Sequence, residues 1–532
     1  MLSFSLISLG CWSQMKSDIY VDGLLLEQRS FQDTLELKGF TDKQIVSWIN
    51  EGFFFAGLDS ITKPGERVAL YLHRGSASTM RIKGIRRNQI LKSLSRISDS
   101  YANSGYPFAS LTIDSLQQKD GTLLGQIKVS PGPKIQYDSA FFYEDPKTNR
   151  SYLYHLLGIV PGDLFSENSY ADINARVERS AFLTLKRDTD ISFSKEKAKV
   201  YLDLEERPTN RFQGVLGLQQ NPSGSTSLVG SLDLLAQNLF RSGHEFHFNW
   251  ERFAQSSQEL NLFYKHAFPF NAKFSPSFRF SLLKQDSTFI TRTTEVGVNT
   301  FIGGKIHLKL HFEGAAGSLI SSTVETISQQ NLADYRRSLY QIEMSSGFTQ
   351  SLNAFREGLV WNVSLAAGTK QIERNTALPT SYYDTIDLKT NFLRFEGRTT
   401  YQIKIGKRQS IYQDIHVGLL QNREVLTNEL YRVGGLTTLR GFNEKNFFAR
   451  QYALSRFEFR SFFENESYLY AFYDQLLFRR NDNFDFPVGI GLGFGLDTSS
   501  GQFSFAMGSG WDEDQRLTFS ELRVHFGFIT IF

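Results

Sequence analysis

The chain has little of what a helical membrane protein, a disulfide scaffold or a nucleic-acid partner would require. Its 532 residues contain no long apolar run, and mean hydropathy is -0.29, which excludes membrane-spanning helices. A single cysteine, Cys11, excludes a disulfide framework. The net charge is +3, with no block of one sign, so nucleic acid is not expected as a partner. No H-E-x-x-H helix, no G-x-S-x-G elbow and no carboxylate pair at a catalytic spacing occurs. His244 and His247 flank Glu245 but fall on opposite faces of a strand, so a metal site is not expected there. Neither a cofactor nor an enzymatic reaction is expected.

Aromatic residues, by contrast, reach 14 %, with 48 Phe and 22 Tyr. The first residues, MLSFSLISLGCWSQ, combine an apolar run with small residues and a polar break. This pattern reads as a secretory signal over 1–14, without the usual basic start. Cleavage near Gln14 would remove Cys11. A buried N-terminal strand and lipidation of Cys11 are the alternatives, the latter opposed by the Ser8–Leu9 order.

The hydrophobic period changes near Pro208. Before it, helix and strand patterns alternate. EGFFFAGLDSI (51–61) recurs as SGYPFASLTID (104–114), each copy followed by a strand pattern and a closing glycine, Gly75 or Gly132. An amphipathic helix precedes each copy. In the first, Thr41 and Gln44 fit a capping box and Ile45 and Ile49 share a face. In the second, Ile90, Leu94, Ile97 and Tyr101 recur at helical spacing and Gly105 supplies a left-handed stop. A third unit runs strand, helix, helix, strand, strand. Three tandem α+β modules are expected, over 15–76, 77–132 (abbreviated) and 133–208.

From 209 to the last residue the alternation has period two, in segments long enough to cross an outer membrane when tilted. KIHLKLHFEG sets Ile306, Leu308, Leu310 and Phe312 against Lys305, Lys309 and His311. SRFEFRSFF sets Phe457, Phe459 and Phe463 against Arg456, Glu458 and Arg460. A soluble sheet would bury those charges. A closed barrel of about 16 antiparallel strands instead turns the apolar side to lipid and the polar side to a wet lumen, with no open edge in hydrocarbon. In VGIGLGFGLD (488–497), Gly489, Gly491, Gly493 and Gly495 recur every second residue. That period marks a packing face of a strand, in contrast to the G-x-G-x-x-G of a dinucleotide site.

One stretch breaks the pattern: GGLTTLRGFNEKNFFA, 434–449. Modules of order βααββ bearing GYPFA, a barrel of about 16 strands, an LRGF loop and the C-terminal Phe532 together resemble the BamA/TamA/FhaC superfamily of outer-membrane assembly and two-partner secretion barrels. The modules resemble its polypeptide-transport-associated (POTRA) domains. Leu439, Arg440, Gly441 and Phe442 match that family's [V/L]-R-G-[F/Y] motif in the sixth extracellular loop, here 422–448. The resemblance implies that the loop returns into the barrel and that Glu458 and Asp474 hold Arg440, since a charge taken out of water needs a partner. Gly434, Gly435 and Gly441 would let the loop fold back tightly. One departure is Leu476, where the family commonly has glycine two residues after the aspartate.

The resemblance implies a Gram-negative outer-membrane protein with its modules in the periplasm. Its function would be to receive unfolded outer-membrane or secreted clients and to insert or translocate them at the barrel. Exposed module edges would pair with client strands, around Leu123–Val129 and Val200–Leu204. The barrel would open at the seam of its first and last strands, where Gly214, Gly217 and Gly527 loosen packing and Phe532 ends the chain. Partners would be those clients, the bilayer, and any accessory periplasmic or lipoprotein subunits. The alternative is a two-partner transporter that secretes one dedicated protein; such barrels generally carry two modules and a plug helix.

Overall fold

The computed structural model describes residues 15–63, 67–76, 79–82, 90–119, 122–220, 226–254, 256–302, 306–320, 327, 330–346, 355, 357–376, 379–464, 466–480, 483–498, 501–513 and 522–531. The segment 1–14 expected to be a signal, with Cys11, and Phe532 lie outside them. The chain divides into two compact units, the first formed by 1–137 with 162–168 and 193–198, the second by 138–161, 169–192 and 199–532.

The first unit opens with β1 (Met15–Val21), β2 (Leu24–Phe31), α1 (Thr34–Glu51), β3 (Gly57–Thr62) and β4 (Val68–His73), in the sheet order β2-β1-β4-β3. Strand β1 runs parallel to β4. Ile19, Leu70 and Leu72 of this sheet bury against Leu37 and Trp48 of α1. Two strands therefore precede the helix where a βααββ module has one. Asp22 and Gly23 both take positive φ (48° and 83°) and close a tight hairpin, so β2 occupies the position of a first helix. The expected capping box at Thr41 and Gln44 is also corrected. Thr41 lies inside α1 and bonds back to the Leu37 carbonyl at 2.9 Å. The helix starts at Asp33, whose carboxylate accepts from the Glu36 amide at 2.8 Å, while Glu36 accepts from the Gln32 amide at 2.6 Å.

Next come β5 (Thr79–Ile82), α2 (Ile90–Ala102), β6 (Ser110–Lys119) and β7 (Thr122–Ser130), ordered β5-β7-β6 with β5 parallel to β7. Gly105, at φ 93°, ends the α2 turn, and the Tyr106 amide donates to the Tyr101 carbonyl at 3.0 Å. The third pattern gives β8 (Gln136–Tyr137), β9 (Phe141–Phe142), α3 (Arg150–Leu157), α4 (Glu167–Ala171), α5 (Ile173–Arg179), β10 (Leu183–Leu185), β11 (Asp190–Ser194), β12 (Lys197–Leu202) and β13 (Leu204–Glu206). Strand β8 pairs with Lys197–Ala198, β9 with Tyr201–Leu202, both parallel. Of the client edges expected at Leu123–Val129 and Val200–Leu204, the second is corrected and the first is narrowed. Strand β7 is paired along its length with β6 but with β5 only over Thr122–Gly125, so among the described residues 126–129 have no strand partner on that side, while β12 lies between β11 on one side and β8 and β9 on the other.

The second unit contains a closed antiparallel barrel. Its wall runs β14 (Arg211–Gln220), β15 (Thr226–Leu239), β16 (His244–Ala254), β17 (Ser257–Lys265), β18 (Ser275–Gln285), β19 (Phe289–Ile302), β20 (Ile306–Leu319), β21 (Asp334–Ser346), β22 (Gly358–Glu373), β23 (Lys389–Lys404) and β24 (Gln409–Gln421). Short strands β25 (Tyr431–Val433) and β26 (Phe447–Ala449) lie off the wall. It continues with β27 (Gln451–Phe462), β28 (Tyr468–Arg479), the two-residue β29 (Phe484–Asp485), β30 (Val488–Thr498), β31 (Gly501–Trp511) and β32 (Arg523–Ile531), which closes on β14. Counting β29 as an extension at the edge of β28, the described residues form sixteen staves.

Burial is inverted relative to a soluble sheet. On β20, Leu310 and Phe312 are 45 % and 42 % exposed while the alternating Lys309, His311 and Glu313 are buried. On β28, Leu469 and Tyr473 are exposed while Tyr468, Phe472 and Asp474 are buried. Lipid is the solvent that suits such an outer face, and backbone closure leaves it no polar edge.

At the end of the barrel away from the start of β14, three connections pack together into a partial roof over one arc of the wall. Ile327, Leu332 and Ala333 after β20, Tyr383 after β22 and Leu426 after β24 form one buried cluster with Phe289, Tyr335 and Ile372 at the strand ends. Lys370 and Glu429, both with fully buried side chains, pair beneath it at 2.6 Å.

Candidate functional site

The stretch that breaks the strand pattern is a hairpin of its own. Strands β25 and β26 pair antiparallel, Tyr431 with Ala449 and Val433 with Phe447, and carry the tip 434–446. Gly434 and Gly435 take φ 134° and 96° where the chain turns. A side chain at Gly434 would meet the Asn443 carbonyl at 2.5 Å, and one at Gly435 the Glu444 carboxylate at 1.8 Å, so neither position has room for one. Thr438 closes the turn, its hydroxyl accepting from the Gly434 amide at 2.8 Å.

Arg440 sits at this tip, 2 % exposed. Its Nε and Nη2 donate to the two Asp474 oxygens at 2.7 Å each, and its amide adds a third bond to Asp474 at 3.1 Å. Nη1 donates to Glu458 at 2.5 Å. The structure thus brings Arg440, Glu458 and Asp474 together from a loop and two adjacent staves. Burial disfavours the guanidinium charge, yet the Glu458 and Asp474 carboxylates outweigh this and hold Arg440 above the usual arginine range. The bidentate fork and planar guanidinium suit arginine and not lysine. The Phe472 ring lies 4.0 Å from the guanidinium carbon and covers its open face. Glu458 is also held by Arg460 at 2.7 Å.

Leu439 and Phe442 are buried with Val433, Ala449, Leu454, Leu476 and Phe478. The departure at Leu476 is therefore absorbed: its side chain, fully buried, belongs to the apolar bed on which the hairpin rests. Gly441, at φ 90°, lies so close to β31 that a Cβ would stand 2.6 Å from the Ser509 carbonyl carbon. The glycine stripe of β30 divides its work. A Cβ on Gly489 would reach the Arg440 carbonyl at 1.9 Å, whereas Gly491, Gly493 and Gly495 face Phe472, Tyr470 and Tyr468 across the ladder. One glycine receives the hairpin, and three make room for the aromatic rings that surround it.

Sequence reasoning missed several contacts of this hairpin. Arg456 on β27 donates to the Thr437 and Leu436 carbonyls at 3.1 and 3.3 Å. Arg523 on β32 donates to Asn443 at 2.9 Å. Lys445 pairs with Glu251 of β16 at 2.8 Å and with Glu259 of β17, on another part of the wall. Nothing in the sequence placed Lys445 beside these two carboxylates.

At the seam, Gly214 pairs with Phe528, Val215 with Gly527 and Gly217 with His525. Nothing lies within 4 Å of a Cβ built on Gly214, whereas one on Gly527 would stand 2.5 Å from the Ser504 hydroxyl of β31. Among the described residues β32 is held by seven pairs on each side, against fourteen between β19 and β20.

No protein-family model matches the chain, and no curated protein does. Among solved structures, CdiB from Acinetobacter baumannii aligns over 100 % of this chain and 92 % of its own, with 10 % identity and a TM-score of 0.56. CdiB from Escherichia coli aligns over 100 % and 93 %, with 13 % identity and a TM-score of 0.52. BamA from Haemophilus ducreyi lacking POTRA domains 1–3 aligns over 84 % and 94 %, with 13 % identity and a TM-score of 0.44. The chain shares the fold of the two CdiB structures, and in this chain that fold is a sixteen-strand barrel preceded in sequence by α+β modules.

Proposed function

We propose that this outer-membrane barrel is an assembly factor: its modules receive unfolded, β-rich clients in the periplasm and the barrel inserts them into the bilayer at its seam. The observation that carries this reading is the contrast between lumen and seam. The Arg440 hairpin is tied to opposite parts of the wall, to β27 and β28 through Arg440 and to β16 and β17 through Lys445, so a chain threading the lumen must break these ion pairs. The seam strand β32 needs only its short ladder released, and an incoming client strand replaces the lost backbone bonds one for one. In this reading Arg440, Glu458 and Asp474 keep the hairpin seated and brace the wall while the seam opens.

The alternative is a transporter that secretes one dedicated partner through the lumen. The same hairpin would then be its plug, displaced during transport. Depleting the protein and quantifying every outer-membrane and secreted protein separates the two. Broad loss of outer-membrane barrels supports assembly, and loss of one secreted protein supports the transporter. An unchanged profile sinks both.

A further inference from the structure

We propose that Lys445 is a second, releasable latch that works with Arg440 to hold the seam shut; the purpose of that control rests on the assembly reading above. The two residues stand five apart on one hairpin tip but bind different arcs of the wall. Arg440 is fixed to β27 and β28 through Glu458 and Asp474. Lys445 is fixed to β16 and β17 through Glu251 and Glu259, with its ammonium 4.5 Å from the Phe253 ring centroid.

From β28 the wall proceeds through β30, β31 and β32, crosses the seam to β14, and reaches β16 by way of β15. The hairpin tip is therefore a chord across the shorter arc, and the seam lies inside that arc. While both ends are fixed, the arc cannot widen at β14–β32. Between the two latches Asn443 accepts from Arg523 of the last strand, so the chord also grips the element that has to move.

The two latches differ in strength. Arg440 offers a planar fork with a side chain 3 % exposed; Lys445 offers a single charge on a flexible stem, 16 % exposed, beside carboxylates 23 % and 26 % exposed. The wetter, monodentate pair breaks first. Arg440 is thus the pivot and Lys445 the catch. Freeing the catch lets the arc widen while the LRGF motif stays in place.

The test uses the full chain with Leu216→Cys and Phe526→Cys, residues opposed across the seam and both outward-facing, in a Cys11→Ser background. Disulfide yield under mild oxidant reports how often the seam is paired, independently of any client. Lys445→Met should lower the yield at least about threefold. The wall-side variant Glu251→Gln/Glu259→Gln should do the same, Lys445→Arg should restore the yield, and the folded, heat-modifiable barrel should persist throughout. Unchanged yield in both charge-removing variants overturns the proposal. So does loss of the folded barrel in both, because a catch has to be dispensable for folding. A lowered yield without any client defect would keep the latch and count against the assembly reading.

Discussion

Arg440 and Asp474 share three hydrogen bonds, two from the guanidinium and one from the Arg440 amide. A loop residue is thereby tied to a wall stave by backbone and side chain at once, with both groups out of water. Removing one member leaves the other's charge stranded, which typically costs about 3–5 kcal/mol. Arg440→Ala should therefore lower the temperature at which the folded barrel converts to its unfolded form on semi-native gels, and it should impair client assembly. Arg440→Lys should fall between, because an ammonium cannot reproduce the fork. Wild-type behaviour of the Ala variant would remove the motif from both stability and mechanism.

Gly489 and Gly214 give a contrast that separates close approach from mere strand flexibility. A methyl at Gly489 would stand 1.9 Å from the Arg440 carbonyl, so Gly489→Ala should push the tip off the wall and expose Arg440 and Lys445 to trypsin in the otherwise folded barrel. At Gly214 nothing lies within 4 Å, and Gly214→Ala should leave proteolysis and thermal conversion unchanged. Equal behaviour of the two variants would contradict this account of the stripe.

The roof rests on a buried pair that should be replaceable as a unit. Glu429→Gln alone leaves the Lys370 ammonium without its charge partner in a dry site and should loosen the roof, raising single-channel conductance. Lys370→Met with Glu429→Leu removes both charges, leaves Arg337, 3.6 Å from Glu429, its other partner Glu313 at 2.9 Å, and should bring conductance back toward wild type, since apolar replacement of a buried pair is commonly neutral. If the double variant conducts more than the single one, the pair does more than hold the roof.

Asp33→Ala should fray the start of α1, at a cost of about 1 kcal/mol. Hydrogen exchange on the full chain would register it as faster exchange of the Glu36 and Leu37 amides, with the barrel amides unaffected. Thr41→Ala, inside the helix, should not produce that local signature.

Whatever depended on local chemistry could be read from the sequence. Period-two alternation with charges on one side gave the barrel, because only a wet interior can accept Lys309, His311 and Glu313 on a strand whose other face is Leu310 and Phe312. Arg440 stood out because an arginine between Leu439 and Gly441 interrupts such a strand. Two local signals were present and passed over: Asp22–Gly23, which closes a tight hairpin, and Asp33 with Glu36, which starts α1 eight residues before Thr41. Lys445 was different in kind. It lies in an ordinary polar run, and its partners Glu251 and Glu259 are almost two hundred residues away in sequence, brought near only by closure of the wall. Pairing set by topology leaves no periodicity to read. Leu476 was legible as a departure, but its meaning required the hairpin to be in place above it.

The roof also determines what the outside world meets. Because residues after β20, β22 and β24 share one apolar cluster, the outward surface over these staves is a single folded plate. An antibody or phage that recognises it would read a composite epitope drawn from three loops, and peptides copied from any one of them would compete poorly. The same plate ties those loops to each other's sequence: a change in one is felt by the other two, so antigenic escape there has to proceed by coordinated substitutions.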